Sequence, residues 1–368
     1  MEEDKNLNPF PPEQNDGGGP GPEIPKQSGD GDASPENPVP MVAESGVLVV
    51  PTDGTPFVHP HHVAEFESYT KFIAEYKGRP GYHYGLSKID DETNGFHQRE
   101  LIVIGGRPGE SKTTLATQLA WNLSKAGRKV IYFSNEMPGP ALWIKVVSSE
   151  LKIPQRMILR DELSDGQRDL IKSFIDNTLS KKLFMVYDQK EGVDPMKMMN
   201  VLKKEQPDVW FVDHIQMGRT GKQFQKRNEM IEEFVYWMKN AADKMKNTGV
   251  AISQCSRSVE GRKNFLPFMS DLKGSGAIEE VADTIFLLAW PWKTVASRDT
   301  EGIMNDWERR KAEADKEKYS DPHDFYIEIS KNRMGAIGNC KVRYNFECCC
   351  FGKRDDEIEK QPRLENSW

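Results

Sequence analysis

The run Leu101-Ile-Val-Ile-Gly-Gly-Arg-Pro-Gly-Glu-Ser-Lys-Thr-Thr-Leu115 constrains this chain more than any other segment. A short apolar strand ends in a glycine-rich turn, and Lys112-Thr113 opens a segment with helical patterning. Strand, glycine turn and helix in that order bring backbone N–H groups inward around an anion, and the positive end of the helix adds to them. The predicted cradle is Gly106, Arg107, Pro108, Gly109, Glu110, Ser111, Lys112, Thr113 and Thr114. In it Lys112 reaches the outer phosphates and the Thr113 hydroxyl holds Mg²⁺. A Gly-Pro turn before a helix can imitate such a loop, but the flanking strand and helix argue for the real one. The expected ligand is ATP, or another NTP or dNTP, with Mg.

One position departs from the G-x-x-x-x-G-K-[ST] pattern, because Ser111 stands where glycine is expected. Glycine there permits a backbone shape that a residue with a Cβ enters at a cost of roughly 1–2 kcal/mol. The departure puts turnover at stake more than binding.

The formal charge of −7 is carried by the beginning of the chain. Glu2, Glu3, Asp4, Glu13, Asp16, Glu23, Asp30, Asp32 and Glu36 face only Lys5 and Lys26 there, and the remainder balances. Acidity of the whole therefore does not exclude a nucleic-acid partner, which depends on where basic residues cluster. The acidic, apolar-poor start is not that of a secretory signal. The longest apolar stretch, Ile285 to Trp292, is too short to span a bilayer. The cysteines, Cys255, Cys340 and Cys348-Cys349-Cys350, suit a reducing cytosol rather than a disulfide framework. Adjacent cysteines alternate faces on a strand and no Cys-x-x-Cys spacing occurs, so zinc is not expected. His59, His61 and His62 are read as part of a solvated, proline-rich loop.

Four regions follow. Residues 1–58, rich in Pro, Gly, Asp and Glu, cannot bury enough apolar surface to order themselves; Val47 to Val50 is a possible strand or partner motif inside them. Residues 59–83 hold an amphipathic helix marked by Val63, Phe66, Tyr69, Ile73 and Tyr76. Residues 84–352 alternate strand and helix, and 353–368 form a polar tail. Predicted strands are 101–105, 129–134, 182–187, 208–213, 249–253, 283–289, 325–330 and 340–346. Predicted helices are 112–126, 138–151, 165–179, 194–205 and 225–246, with an exposed charged helical insertion around Trp307 to Lys318. The alternation specifies an α/β fold with a mainly parallel sheet, and ligands of such sheets sit at the carboxyl ends of the strands.

Those ends carry suitable chemistry. Trp210-Phe-Val-Asp213 ends in a carboxylate fit to orient Mg²⁺. Glu136 ends the strand after the loop's helix and is placed to accept a proton from an attacking water; a helix cap before Pro138 is the other reading. Gln254 ends a third strand, as a candidate sensor of the γ-phosphate. The following segment, 256–276, carries Arg257, Arg262, Lys263 and Lys273 with glycines that include Gly276. Loops of this type suit the backbone of single-stranded nucleic acid; the alternative is a solvated loop. Lys331-Asn-Arg333 offers cations for transition-state charge, in the manner of an arginine finger when supplied by a neighbour.

Taken together, Gly85 to Phe96, the phosphate loop, Phe133-Ser-Asn-Glu-Met137, Phe211-Val-Asp-His-Ile-Gln216, Ser253-Gln-Cys-Ser-Arg257, Ser270 to Glu279 and Lys331-Asn-Arg-Met-Gly335 resemble the motor domain of DnaB-type replicative helicases. Asp213-His214 and Lys273-Gly-Ser-Gly-Ala277 are closer to the phage primase–helicase branch. The resemblance covers about residues 62–351, in the family's order. It implies a RecA-like P-loop NTPase core that assembles as a ring, usually a hexamer. NTP would lie between subunits, with Lys112, Thr113, Glu136, Asp213 and Gln254 on one side and Lys331 and Arg333 entering from the next. Hydrolysis would move the central loops along single-stranded DNA. The helix at 62–77 falls where the family keeps its subunit-linking helix. Neither a zinc-binding primase module nor a helical N-terminal domain is expected before it. The acidic tail takes their place, as a candidate contact for a primase, a loader or another replication protein, or as a shield of the channel against non-specific nucleic acid. Two other readings compete: a RecA/RadA-like recombination or repair ATPase, and a nucleotide-gated DNA-binding scaffold whose hydrolysis Ser111 has impaired.

Overall fold

The computed structural model describes residues 81–188, 194–218, 227–256, 259, 266–296 and 306–352. The predicted helix at 62–77, the Val47 to Val50 segment and both tails lie outside the described residues.

The described part opens with α1 (Ser87–Thr93), β1 (Leu101–Gly106), α2 (Lys112–Lys125), β2 (Val130–Ser134) and α3 (Gly139–Leu151). It continues through α4 (Gln155–Arg160), α5 (Asp165–Leu179), β3 (Phe184–Asp188), α6 (Pro195–Glu205) and β4 (Val209–Asp213). Then come α7 (Arg227–Met245), β5 (Thr248–Gln254), α8 (Ser275–Val281), β6 (Thr284–Ala289) and α9 (Pro291–Ala296). The described part closes with α10 (Asp306–Lys318), β7 (Asp324–Asn332), β8 (Gly338–Asn345) and β9 (Cys350–Gly352). The strands form one sheet in the order β3-β2-β4-β5-β1-β6-β7-β8-β9. Every neighbouring pair from β3 to β6 is parallel, and the pairs from β6 to β9 are antiparallel.

The central strands are apolar throughout because both faces are covered. Alternation along β1 divides the core in two. Ile102 and Ile104 pack with Leu115 and Leu119 of α2 on one face. Leu101 and Val103 pack with Ile231, Phe234 and Met238 of α7 on the other. In α7 the buried positions Ile231, Phe234, Val235 and Met238 recur at three- and four-residue spacing, which gives one apolar stripe. Trp210 is fully buried, and its indole Nε1 donates to Asn247 Oδ1 at 2.9 Å, so its polar edge is satisfied. The start of α5 is fixed by a capping box, with Ser164 and Gln167 bonded reciprocally.

Three differences from the sequence expectation have local causes. The short helices α1, α4 and α8 are too brief to show a period. Cys348 and Cys349 lie in the turn between β8 and β9, not on a strand; Cys349 is left-handed at φ 53° and Asn345 Oδ1 accepts from the Cys348 N–H. Strand β9 adds an edge that three residues cannot announce.

A buried acid beneath β1 sets a pH dependence of stability. Burial pushes the Glu100 carboxyl up to about 7, with Asp283 adding repulsion and the His97 N–H and Lys239 opposing. The folded chain holds this proton more tightly than the unfolded one. Its contribution is therefore full below about pH 4.5 and is lost as pH rises through 7, a change of roughly 3 kcal/mol. Denaturant unfolding from pH 4.5 to 8 is expected to show a shallower decline in Glu100→Gln than in the unaltered chain. Equal slopes would remove Glu100 as the source.

Candidate functional site

Four parallel strands end along one edge of the sheet. Gly106 of β1 is level with Gln254 of β5, and Ser134 of β2 is level with Asp213 of β4. The turn Arg107–Ser111 connects β1 to α2 at this edge, where helix and strand ends together favour an anion.

Inside the turn, the Glu110 Oε2 accepts from the Arg107 N–H at 2.7 Å. The Lys112 Nζ donates to the Arg107 carbonyl at 2.8 Å. Burial raises the Glu110 carboxyl above its ordinary value and lowers the Lys112 ammonium below its own; each charge opposes the other's shift. The Arg107 guanidinium donates to the Cys255 carbonyl at 3.1 Å, tying the turn to the end of β5. Gly109 is left-handed at φ 80°, a conformation a larger residue enters only with strain. Lys293 of α9 reaches over it and donates to its carbonyl at 3.1 Å.

Ser111 adopts the conformation that its place in the pattern demands, φ 51° and ψ 25°. The cost for a residue with a Cβ is roughly 1–2 kcal/mol. Its Oγ donates to the Tyr344 hydroxyl on β8 at 2.9 Å.

Asp213 is completely buried, and Tyr132 donates its hydroxyl to Oδ2 at 3.0 Å. Burial raises this carboxyl to about 6, opposed first by the Thr113 and Tyr132 hydroxyls. Its Oδ1 is buried without a hydrogen-bond partner among the described residues. An orphaned carboxylate oxygen beside a threonine hydroxyl is a hard-oxygen pair that fits Mg²⁺.

Glu136 follows β2 and makes no cap bond to α3, which begins after Pro138. Its carboxylate lies 3.5 Å from His214 Nε2. Burial lowers the His214 imidazole, and Glu136 opposes that shift. The same His214 nitrogen meets the Gln254 amide at 3.1 Å. The Gln254 backbone N–H donates to Gln216 Oε1 at 3.2 Å, and its carbonyl accepts from the Lys273 N–H at 3.0 Å. Arg227 holds the Gln216 carbonyl at 3.0 Å. Thus Glu136, His214, Gln254 and Lys273 are in continuous contact across the sheet edge. Lys273 and Gly276 are exposed at the mouth of a 730 Å³ cleft that His214, Gln216, Arg227 and Gln254 also line. Arg257, Arg262 and Lys263 lie outside the described residues.

Lys331 and Arg333 are on the other edge of the sheet. Asn332 is level with Thr284, whereas Leu288, four steps along β6, is level with Gly106. That is roughly 13 Å of strand between them and the turn. Lys331 Nζ donates to the Glu279 carbonyl at 2.6 Å. Arg333 bonds the Asp283 Oδ1 at 2.9 Å and the Glu280 carbonyl at 2.7 Å. Asp283 in turn accepts from the Leu101 N–H at 2.8 Å and from Lys239 at 2.8 Å. Within one chain the turn and the Lys331–Arg333 pair are therefore apart.

Lys293 and Tyr344 were not singled out by sequence reasoning. Tyr344 reaches the turn through the antiparallel half of the sheet, and Lys293 from the short helix that follows β6; each is far away in the chain and without a local motif. His214 carried a signal, as a titratable residue directly after the Asp213 strand end.

Residues 81–353 match the family described as DnaB-like helicase C terminal domain. The replicative DNA helicase DnaB of Buchnera aphidicola subsp. Baizongia pistaciae (strain Bp) is 29% identical over 280 residues, covering 74% of this chain and 56% of the relative. That of Helicobacter pylori (strain J99 / ATCC 700824) is 26% identical over 277 residues, covering 71% and 57%. The chain thus spans just over half the length of these relatives. Among solved structures, the ATPase domain of G40P aligns with TM-score 0.66 at 20% identity, over 79% of this chain and 98% of that one. A DnaB-like replicative helicase studied for its interactions with primase aligns with TM-score 0.64 at 21% identity, over 83% and 69%. The fold shared with both is the RecA-like α/β core.

Proposed function

This chain belongs to the family of DnaB-like helicase C-terminal domains, and on that premise we propose that it is an NTP-driven replicative helicase. It translocates on single-stranded DNA as an oligomeric ring and separates the duplex ahead. Family membership favours this reading over a recombinase.

The phosphate turn from Gly106 to Thr114 holds ATP or a related triphosphate, with Lys112 countering charge on the outer phosphates. Thr113 and Asp213 are the residues that would hold Mg²⁺, which when bound neutralises phosphate charge. Glu136 orients the attacking water and accepts its proton on a carboxylate oxygen. Lys331 and Arg333 act on the nucleotide of a neighbouring subunit, a reading supported by their place on the opposite sheet edge. Residues 84–352 form the motor. The segment 59–83 links subunits, hexameric by analogy with the family, and the acidic residues 1–58 meet a primase, loader or other replication protein. The site of action is the cytosol. No described helix is long and apolar enough to cross a membrane.

One observation carries the coupling of hydrolysis to movement. Gln254 touches His214 beside Glu136 through its side chain, and Lys273 through its main chain. A change at the γ-phosphate thereby reaches the basic segment 256–276 through two residues. Unwinding of a forked DNA duplex with ATP and Mg²⁺ tests the proposal. The expected result is strand separation that requires hydrolysis, and hydrolysis that single-stranded DNA accelerates. Nucleotide binding without any hydrolysis would leave the nucleotide-gated scaffold as the better description.

A further inference from the structure

We propose that Tyr344 is a positioning residue of the phosphate loop: its hydroxyl holds Ser111 in the left-handed conformation that a glycine would adopt unaided. The inference rests on the reading of 106–114 as a nucleotide loop.

The backbone of Ser111 is the observation that requires an explanation. A residue with a Cβ occupies φ 51°, ψ 25° at the N-cap of α2. Its side chain makes no cap bond to that helix. It points instead to β8, where its Oγ donates to Tyr344 Oη at 2.9 Å.

Tyr344 is a fixed post. It is buried at 4% exposure. Its ring stacks on Phe351 at 4.4 Å and meets the edges of Trp290 at 5.3 Å and Phe325 at 5.6 Å. Its N–H donates to the His323 carbonyl at 2.8 Å, and its own carbonyl meets His323 Nδ1 at 2.9 Å. A phenol restrained on both ring and backbone cannot follow a wandering serine; the serine must come to it.

The post is also fastened to the helix it serves. Tyr344 pairs with Phe351 across β8 and β9. The Phe351 backbone exchanges two hydrogen bonds with the Gln118 amide of α2, each at 2.6 Å. Ser111–Tyr344 and Gln118–Phe351 therefore clamp α2 at two points, its N-cap and two turns further on. The β8–β9 edge, remote in sequence from the loop, sets the orientation of the N–H groups at the start of α2. With glycine at position 111 the first point of the clamp is dispensable; with serine it is not.

The test is a double-mutant cycle on the full chain, Tyr344→Phe and Ser111→Gly singly and together. Binding of a fluorescent ATP analogue with Mg²⁺ is measured, along with hydrogen exchange of the amides from Ser111 to Thr114 in the nucleotide-free protein. Tyr344→Phe keeps the ring packing and removes one hydroxyl. With Ser111 in place it is expected to weaken nucleotide affinity roughly tenfold and to speed exchange in the loop. In the Ser111→Gly background the same change removes only the Tyr344 contact with Thr114, and its effect on both is expected to be at least about threefold smaller. Cooperative thermal unfolding of all four chains checks that the ring still packs. Equal losses with and without Ser111, or no loss with Ser111, would overturn the clamp. If no variant binds nucleotide, the functional reading fails instead, and the exchange data alone still decide whether Tyr344 holds the loop.

Discussion

Lys112→Ala is expected to reduce ATP hydrolysis by about 10²–10³-fold, the scale lost when one preorganised charge is removed from a site where negative charge develops. The Nζ is 2.8 Å from the Arg107 carbonyl at the mouth of the turn and is largely screened from water. An ammonium there interacts with phosphate oxygens more strongly than one in solvent. Loss of the cation also leaves Glu110 and Asp213 with less to oppose their burial, since Lys112 holds both carboxyls down. Thermal unfolding is therefore measured beside activity. A stable Lys112→Ala chain with near-normal hydrolysis would mean that the turn is not the nucleotide site.

Arg333→Ala is expected to lower hydrolysis further, by about 10³-fold or more, as for cations that act only on the transition state. The local cost of the change is small. The Arg333 side chain is 47% exposed, and Asp283 keeps Lys239 and the Leu101 N–H as partners. Arg333 is the exposed partner of a buried Asp283 that keeps two other donors, so its loss costs on the order of 1 kcal/mol. The expected pattern is intact folding and intact nucleotide binding with turnover lost. Arg333→Lys should restore little, because a compact ammonium lacks the planar fork of donors. Retained turnover in Arg333→Ala would reduce Lys331 and Arg333 to an anchor for the C-terminal end of α8.

Much of this candidate site is legible in the chain because its residues sit where parallel strands stop. Gly106, Asp213 and Gln254 each end an apolar run, and strand ends survive modest errors in element boundaries. Ser111 announces itself as a departure from a pattern, and its φ of 51° shows why glycine is usual there. What relieves it is not legible. Tyr344 reaches Ser111 only because β6 to β9 fold back antiparallel, and no local period encodes that return. Lys293 over Gly109 is hidden for another reason, because it lies on the helix after β6, which is too short to show a pattern. The opposite placement of Arg333 needs strand register, which links Thr284, Asn332 and Leu288 and cannot be read from spacing alone.

That opposite placement makes the central claim, a site shared between subunits, directly testable. The measurement is steady-state ATP hydrolysis, with and without single-stranded DNA, for Lys112→Ala, Arg333→Ala and an equal mixture of the two. In a mixed ring about one interface in four joins an intact turn to an intact Arg333. The predicted result is DNA-stimulated hydrolysis that returns in the mixture and is absent from either chain alone. A wild-type chain that hydrolyses ATP while the mixture stays as inactive as its parts would contradict a site built from two subunits.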